Sequence, residues 1–200
     1  MLMSINRSGE NSRFNKMDLI FITTKLKNQF PLNQKAIEPH PKKAAILVML
    51  YPKHNKTYVF MIKRALHLKS HAGEIGFPGG VYEKDEDENL LATALRETEE
   101  EVGVEVEASQ VIAQLPIVNT RLGFEITPFV SVFSAAMEFK LKEDEVEEIL
   151  EIPLTSLLAT QQRDVSFSPE QDLVMYWFKH NRIWGASAQI LREIQLKIGR

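Results

Sequence analysis

Residues 71–103, HAGEIGFPGGVYEKDEDENLLATALRETEEEVG, constrain this chain more than any other stretch of it. Pro78, Gly79 and Gly80 punctuate a loop, because proline and glycine favour turns. The loop carries Glu74, Glu83, Asp85, Glu86, Asp87 and Glu88, and the segment after it carries Glu97, Glu99, Glu100 and Glu101. From about Asn89 to Val102 the apolar spacing predicts a helix, with Leu91, Ala94, Leu95, Thr98 and Val102 on one stripe and Gly103 as its stop. At about 100° per residue, Glu97, Glu100 and Glu101 share an arc of roughly 100° beside that stripe.

Like charges three and four residues apart repel by roughly 0.2–0.5 kcal/mol per pair, so the cluster needs a compensating cation. Arg96 supplies part of it, and a divalent metal ion is the stronger candidate. All-oxygen ligands suit Mg²⁺ or Mn²⁺, and the chain has no cysteine to favour zinc. Taken alone, the composition favours a plainer reading, since glutamate is a good helix former and most glutamate-rich faces are simply solvated. The joint pattern argues the other way: strand, Gly-Gly loop, then a helix reading R-E-x-x-E-E-x-G. A calcium loop is excluded, because DEDENLLATALRE lacks the central glycine and the alternating ligand positions.

The rest of the chain frames this segment. With 200 residues, 44% of them hydrophobic, the chain can bury one good core. A net charge of −3 disfavours a nucleic-acid partner held by bulk electrostatics. Cysteine is absent, the first residues lack the apolar core of a signal peptide, and no apolar run approaches the roughly 20 residues of a membrane span. The expectation is a soluble, cytoplasmic protein with no membrane partner. Residues 1–15 are polar and expected to be mobile. Leu19, Ile22, Leu26 and Phe30 predict a short amphipathic helix over 17–30, although Ile20, Phe21 and two threonines leave a strand possible. PLNQKAIEPHPKK reads as an extended connector. AAILVMLYP and TYVFMIKRA read as strands joined by a hairpin turn, and QVIAQLPIV and FEITPFVSVFSAA as further strands. The segment 137–159 is a strand or loop feeding a short helix or turn, DLVMYWFKHNRIWG a closing hairpin, and ASAQILREIQLKI an amphipathic helix. The order of elements gives an α/β fold, a mixed β-sheet sandwiched by helices. An N-terminal extension over 1–35, carrying the helix, would precede the main domain over 36–200. The extension either caps the fold, pairs with a second chain or remains loose, and the assembly is open between monomer and homodimer.

The acidic helix resembles the signature of the Nudix hydrolases: a Gly, a Glu about six residues later, and seven residues further the run R-E-U-x-E-E-x-G-U, where U is bulky and apolar. Here the second half runs from Arg96 to Val104, with Thr98 less apolar than the pattern, and Glu88 lies eight residues before Arg96. Gly80 lies two residues further upstream than the general pattern has it, which is familiar in one branch, the coenzyme A diphosphatases. That branch's upstream signature resembles L-L-T-x-R-[SA]-x3-R-x3-G-x3-F-P-G-G. This chain matches with Arg64-Ala65, Gly73 and Phe77-Pro78-Gly79-Gly80. It departs in the three leading residues, Phe60-Met61-Ile62, and in Lys69, which keeps a charge but loses the arginine fork. GFEITPFV, DEVEEILEIPL and IWGASAQIL resemble later segments of the branch, so the likeness runs over roughly residues 40–195.

The resemblance implies a Nudix-type α/β/α sandwich that hydrolyses a diphosphate, with coenzyme A or a derivative as the small-molecule substrate and Mg²⁺ or Mn²⁺ as cofactor. Glu97, Glu100 and Glu101 would be metal ligands, Arg96 would orient a carboxylate, and the base would be Glu97 or a glutamate from a later loop, for which Glu145 is the candidate. Arg64, Lys69 and His71 would meet substrate phosphates, though each also has an ordinary reading as a surface or structural residue. Gly79 and Gly80 either serve a tight turn or admit close backbone approach to substrate. Glu88 either orients Arg96 or assists the metal, and Glu83, Asp85, Glu86 and Asp87 include solvated charges. Phe124 and Trp184 are expected as core or rim aromatics. The alternatives are another nucleoside diphosphate substrate such as ADP-ribose or a dinucleotide, a non-catalytic nucleotide-binding module, and an acidic protein-interaction surface.

Overall fold

The computed structural model describes residues 8–32, 42–166 and 172–199. Its centre is a hairpin of β1 (Lys43–Lys53) and β2 (Lys56–Arg64), turned at His54 and Asn55. Both turn residues have positive φ, 45° and 59°, as a tight turn matching strand twist requires. The two strands read as nearly unbroken apolar runs because both faces of the sheet are covered. Ala45, Leu47, Met49, Tyr51, Phe60 and Ile62 point to one side. Val48, Leu50, Val59 and Met61 point to the other.

Seven further strands enter the fold before the last hairpin: β3 (Ile75–Gly76), β4 (Gly79–Val81), β5 (Val111–Gln114), β6 (Val118–Asn119), β7 (Glu125–Val132), β8 (Val146–Pro153) and β9 (Gln162–Arg163). The main sheet runs β3-β2-β1-β7-β5, with β4 beside β1, β6 beside β7 and β8 beside β2. Only the β1–β7 pairing is parallel among those described, so the sheet is mixed. β10 (Val174–Phe178) and β11 (Asn181–Ile183) form the closing hairpin, with β9 along its other edge.

Helix α2 (Leu90–Val102) covers the first face, its Leu91, Ala94 and Val102 packing on the odd-numbered residues of β1. The second face lies under α1 (Ser8–Gln29), α3 (Leu154–Leu158) and α4 (Gly185–Ile198), through Leu19, Ile22, Leu26, Leu154, Leu157, Ile190, Leu191 and Ile194. The expected α/β/α sandwich with a mixed sheet is therefore observed.

Four boundaries differ from expectation. Helix α1 begins at Ser8, inside the stretch expected to be mobile, because a helix pinned by the buried Leu19, Ile22 and Leu26 extends outward at one hydrogen bond per residue. Phe30 falls just past its end and packs against the core from there. The glycine loop contains a strand: β2 pairs with β1 only near the hairpin, from Leu50↔Val59 to Lys53↔Lys56, and β4 takes the edge left open at Ala44–Ile46. Most of the proline-rich connector, residues 33–41, lies outside the described residues, and Lys43 at its end already belongs to β1.

Candidate active site

Helix α2 is set by local chemistry at both ends. The Asn89 side chain accepts the Ala92 N–H at 3.0 Å, and Gly103 closes the helix in the left-handed region at φ 68°, its N–H donating to Glu99 O at 2.8 Å. The apolar stripe fixes the rotation, so Glu97 and Glu101 lie along the border between the sheet and solvent. Glu101 is buried at 2% exposure, and Glu100 is exposed.

The two glycines of β4 meet these carboxylates. The Gly79 N–H donates to Glu101 Oε2 at 3.0 Å. Gly79 has φ 148°, and a Cβ there would run into Ala45 O and the Ile46 backbone. At Gly80 a Cβ would overlap the Glu97 carboxylate itself. The glycine pair thus serves close packing, its backbone seating one glutamate and leaving room for the other.

Arg64, at the end of β2, donates from Nη1 to Glu101 Oε1 at 3.4 Å. Its buried Nε has no hydrogen-bond partner. Burial pushes the Glu101 carboxyl up to about 7; the Gly79 N–H and Arg64 oppose that rise, and the charges of Glu97 and Glu145 add to it. Glu97 is also raised by burial, opposed by Arg96 and reinforced by Glu100 and Glu145. Glu97, Glu101 and Glu145 therefore act on one another across the sheet border, although only two of them share a helix.

The segment 140–146 delivers Glu145. The Lys140 and Lys142 N–H groups donate to Val102 O and Glu101 O, at 2.9 and 3.0 Å, satisfying carbonyls that the end of α2 would otherwise leave unpaired. Gly103 makes room for this, since a Cβ there would lie 2.9 Å from Lys140 Cβ. The Ala65 N–H then donates to Glu145 O at 2.9 Å. Lys142 Nζ stands 2.9 Å from Glu145 Oε1.

Arg96 is held by Asp87 rather than by Glu88. Its Nε and Nη2 donate to the two Asp87 oxygens at 2.9 and 3.1 Å, and its Nη1 lies 3.1 Å from Glu97 and 3.3 Å from Glu100. Asp87 is 4% exposed and also accepts from the Glu83 N–H and Thr93 Oγ1. Burial alone would raise its carboxyl, but the bonds from Arg96, Glu83 and Thr93 outweigh it and hold it below the usual range. Glu88, Glu83, Asp85 and Glu86 are exposed. Asp87, which the sequence groups with charges expected to include solvated ones, is buried instead. The Thr93 hydroxyl, one helical turn before Glu97, was the available signal for its burial.

Lys69 and His71, both expected to meet substrate phosphates, stand apart from these carboxylates. Lys69 and His71 lie exposed on the loop between β2 and β3, where His71 Nδ1 is 3.0 Å from Glu74. Phe124 and Trp184 are half-buried, with Lys42 over Phe124 at 6.0 Å and Arg182 over Trp184 at 5.7 Å. Among the described residues no three acidic or histidine side chains are closed around a common point for a metal. Glu97, Glu101 and Glu145 nevertheless form an all-oxygen set in which burial raises the first two carboxyls and neighbouring glutamate charges add to that rise, a donor chemistry that suits a hard divalent cation.

This α/β/α sandwich, with a glycine pair set against carboxylates on one helix edge, has the fold of hydrolases that act on pyrophosphate bonds. The chain belongs to the Nudix family: the NUDIX domain model matches residues 41–171. It is 36% identical over 162 residues to the uncharacterised Nudix hydrolase NudL of Salmonella paratyphi B, covering 79% of this chain and 83% of that protein. NudL of Salmonella newport matches to the same extent. Among solved structures, a MutT/nudix family protein from Enterococcus faecalis aligns with a TM-score of 0.57 at 13% identity, over 98% of this chain and 75% of that one. A NUDIX hydrolase from Alicyclobacillus acidocaldarius aligns at 0.53 and 18% identity, over 79% and 92%. These two likenesses concern the fold. Nudix hydrolases generally use divalent metal ions. Among the described residues no helix is long and apolar enough to cross a membrane.

Proposed function

We propose that this Nudix hydrolase cleaves the diphosphate of coenzyme A or a derivative, giving 3′,5′-ADP and 4′-phosphopantetheine or its acyl form. One observation carries the reading. Arg64 and Gly79, both within the upstream signature, donate to the two oxygens of Glu101, which supports reading that signature of the coenzyme A branch as part of the carboxylate site.

Glu97 and Glu101, with Glu100 once turned from Arg96, would hold Mg²⁺ or Mn²⁺. When bound, the metal supplies charge neutralisation for the diphosphate and acidifies a water molecule. Arg96, fixed by Asp87, orients Glu97 and Glu100. Glu145 enters from the far side of the site and is the candidate to take the proton of the attacking water. Arg64 acts through Glu101, and Lys69 and His71 offer exposed hydrogen-bonding groups to the nucleotide's phosphates.

The test is a substrate panel. The protein is incubated with Mg²⁺ or Mn²⁺ and coenzyme A, ADP-ribose, NADH or nucleoside triphosphates, and the products are separated chromatographically. The expected result is metal-dependent appearance of 3′,5′-ADP and 4′-phosphopantetheine. Turnover of ADP-ribose with none of coenzyme A would reject the substrate.

A further inference from the structure

Lys142 matches no signature, and its position is fixed by the backbone. Its N–H donates to Glu101 O at 3.0 Å and its carbonyl accepts from the Glu145 and Val146 N–H groups at 2.9 and 3.0 Å. The base of this side chain is therefore fastened to the last turn of α2 and to the start of β8. Its ammonium lies 2.9 Å from Glu145 Oε1 and feels the charges of Glu100 and Glu97 as well. The two arginines acting on the same carboxylates are committed: Arg64 to Glu101, and Arg96 to both oxygens of Asp87. Lys142 is different, being 43% exposed and held by a single ion pair with a glutamate that is itself 35% exposed. Such a pair is weak and readily exchanged.

We propose that Lys142 is a diphosphate-binding residue, held on Glu145 in the free protein and turned to a phosphate oxygen when the substrate enters. The exchange keeps the lysine's charge in the site: the ammonium, with three donors on a flexible stem, leaves a carboxylate oxygen for a phosphate oxygen and frees Glu145 to accept a proton. Lysine suits this role because it acts as a mobile point charge where an arginine fork would stay locked on a carboxylate.

The inference rests on the carboxylate site described above but not on coenzyme A as substrate, so its probes are Mn²⁺ and ADP. Direct Mn²⁺ binding and ADP binding in the presence of Mg²⁺ are measured calorimetrically on the full chain and on Lys142→Ala and Lys142→Arg. In Lys142→Ala, Mn²⁺ should bind roughly two- to fivefold tighter, since a competing cation is gone. ADP should bind about tenfold more weakly, the value of one charge-assisted hydrogen bond. Lys142→Arg should restore most of the ADP affinity. Weaker Mn²⁺ binding in Lys142→Ala, or ADP affinity that does not change, overturns the proposal. A wild-type protein that binds ADP through Lys142 yet leaves coenzyme A intact refutes the substrate and leaves this inference standing.

Discussion

Adjacent glycines in this site do different jobs, and alanine at each separates them. At Gly79 an added Cβ strikes backbone, Ala45 O and Ile46 Cα, and the residue sits at φ 148°, so nothing nearby yields cheaply. Gly79→Ala should cost about 3 kcal/mol or more of stability, read from denaturant unfolding. At Gly80 the obstacle is the end of a flexible side chain, the Glu97 carboxylate, and the backbone is unstrained. Gly80→Ala should keep the melting temperature within a few degrees while turnover falls roughly 100-fold, because a carboxylate moved by about 1 Å no longer meets its ligand geometry. Equal losses of stability in the two variants would remove the distinction drawn between them.

At the scale of elements, the site depends on the fastening of segment 140–146 to the end of α2. Gly103 allows it, by adopting φ 68° and by leaving space for Lys140. Gly103→Ala should cost roughly 1–2 kcal/mol from backbone strain and should also lower turnover by shifting Glu145. A double-mutant cycle checks the second effect: in a Glu145→Gln background, Gly103→Ala should cost stability and little further activity. The small sheet of β9, β10 and β11 has its own anchor in Asp164, 2% exposed, which accepts from Arg182 Nη2 at 2.7 Å on each oxygen and from Ser166 Oγ. Burial would raise this carboxyl, but Ser166 and Arg182 outweigh it and depress it. A depressed carboxyl contributes stability that is full above its unfolded value, near 4, and is lost as pH falls through the folded value. Asp164→Asn should therefore destabilise by roughly 1–3 kcal/mol at pH 7, and its unfolding curve should converge on that of the parent as pH falls through the depressed folded value. A gap that does not begin to narrow as pH falls below about 4 would show that charge is not the cause.

For the molecule as a whole, what the sequence disclosed and what it hid follow from the range of the interactions. The sandwich, the hairpin and the acidic helix rest on periodicity and on caps within a few residues, so Asn89, the Leu91–Val102 stripe and Gly103 could be read directly. Asp87 on Arg96, Arg64 on Glu101 and Lys142 on Glu145 bring charges onto the site through turns and strand ends, and no period marks such pairs. The N-terminal helix shows the same limit at larger size. Its stripe was legible, but not whether it would cap the fold, pair with a second chain or stay loose, because that depends on the opposite face of a sheet far along the chain. Leu19, Ile22 and Leu26 are buried to 6%, 2% and 0% exposure in one cluster with Val59, Leu157 and Ile194. Each such side chain contributes roughly 1.5–3 kcal/mol when buried, and three together approach the roughly 5–15 kcal/mol that holds an ordinary domain folded. A variant lacking residues 1–29 should therefore lose its cooperative thermal transition or aggregate, and Ile22→Ala alone should cost about 2–4 kcal/mol in denaturant unfolding. If the shortened chain instead melts cooperatively near the parent temperature, α1 is an accessory to this fold, and its contacts contribute far less than their buried area implies.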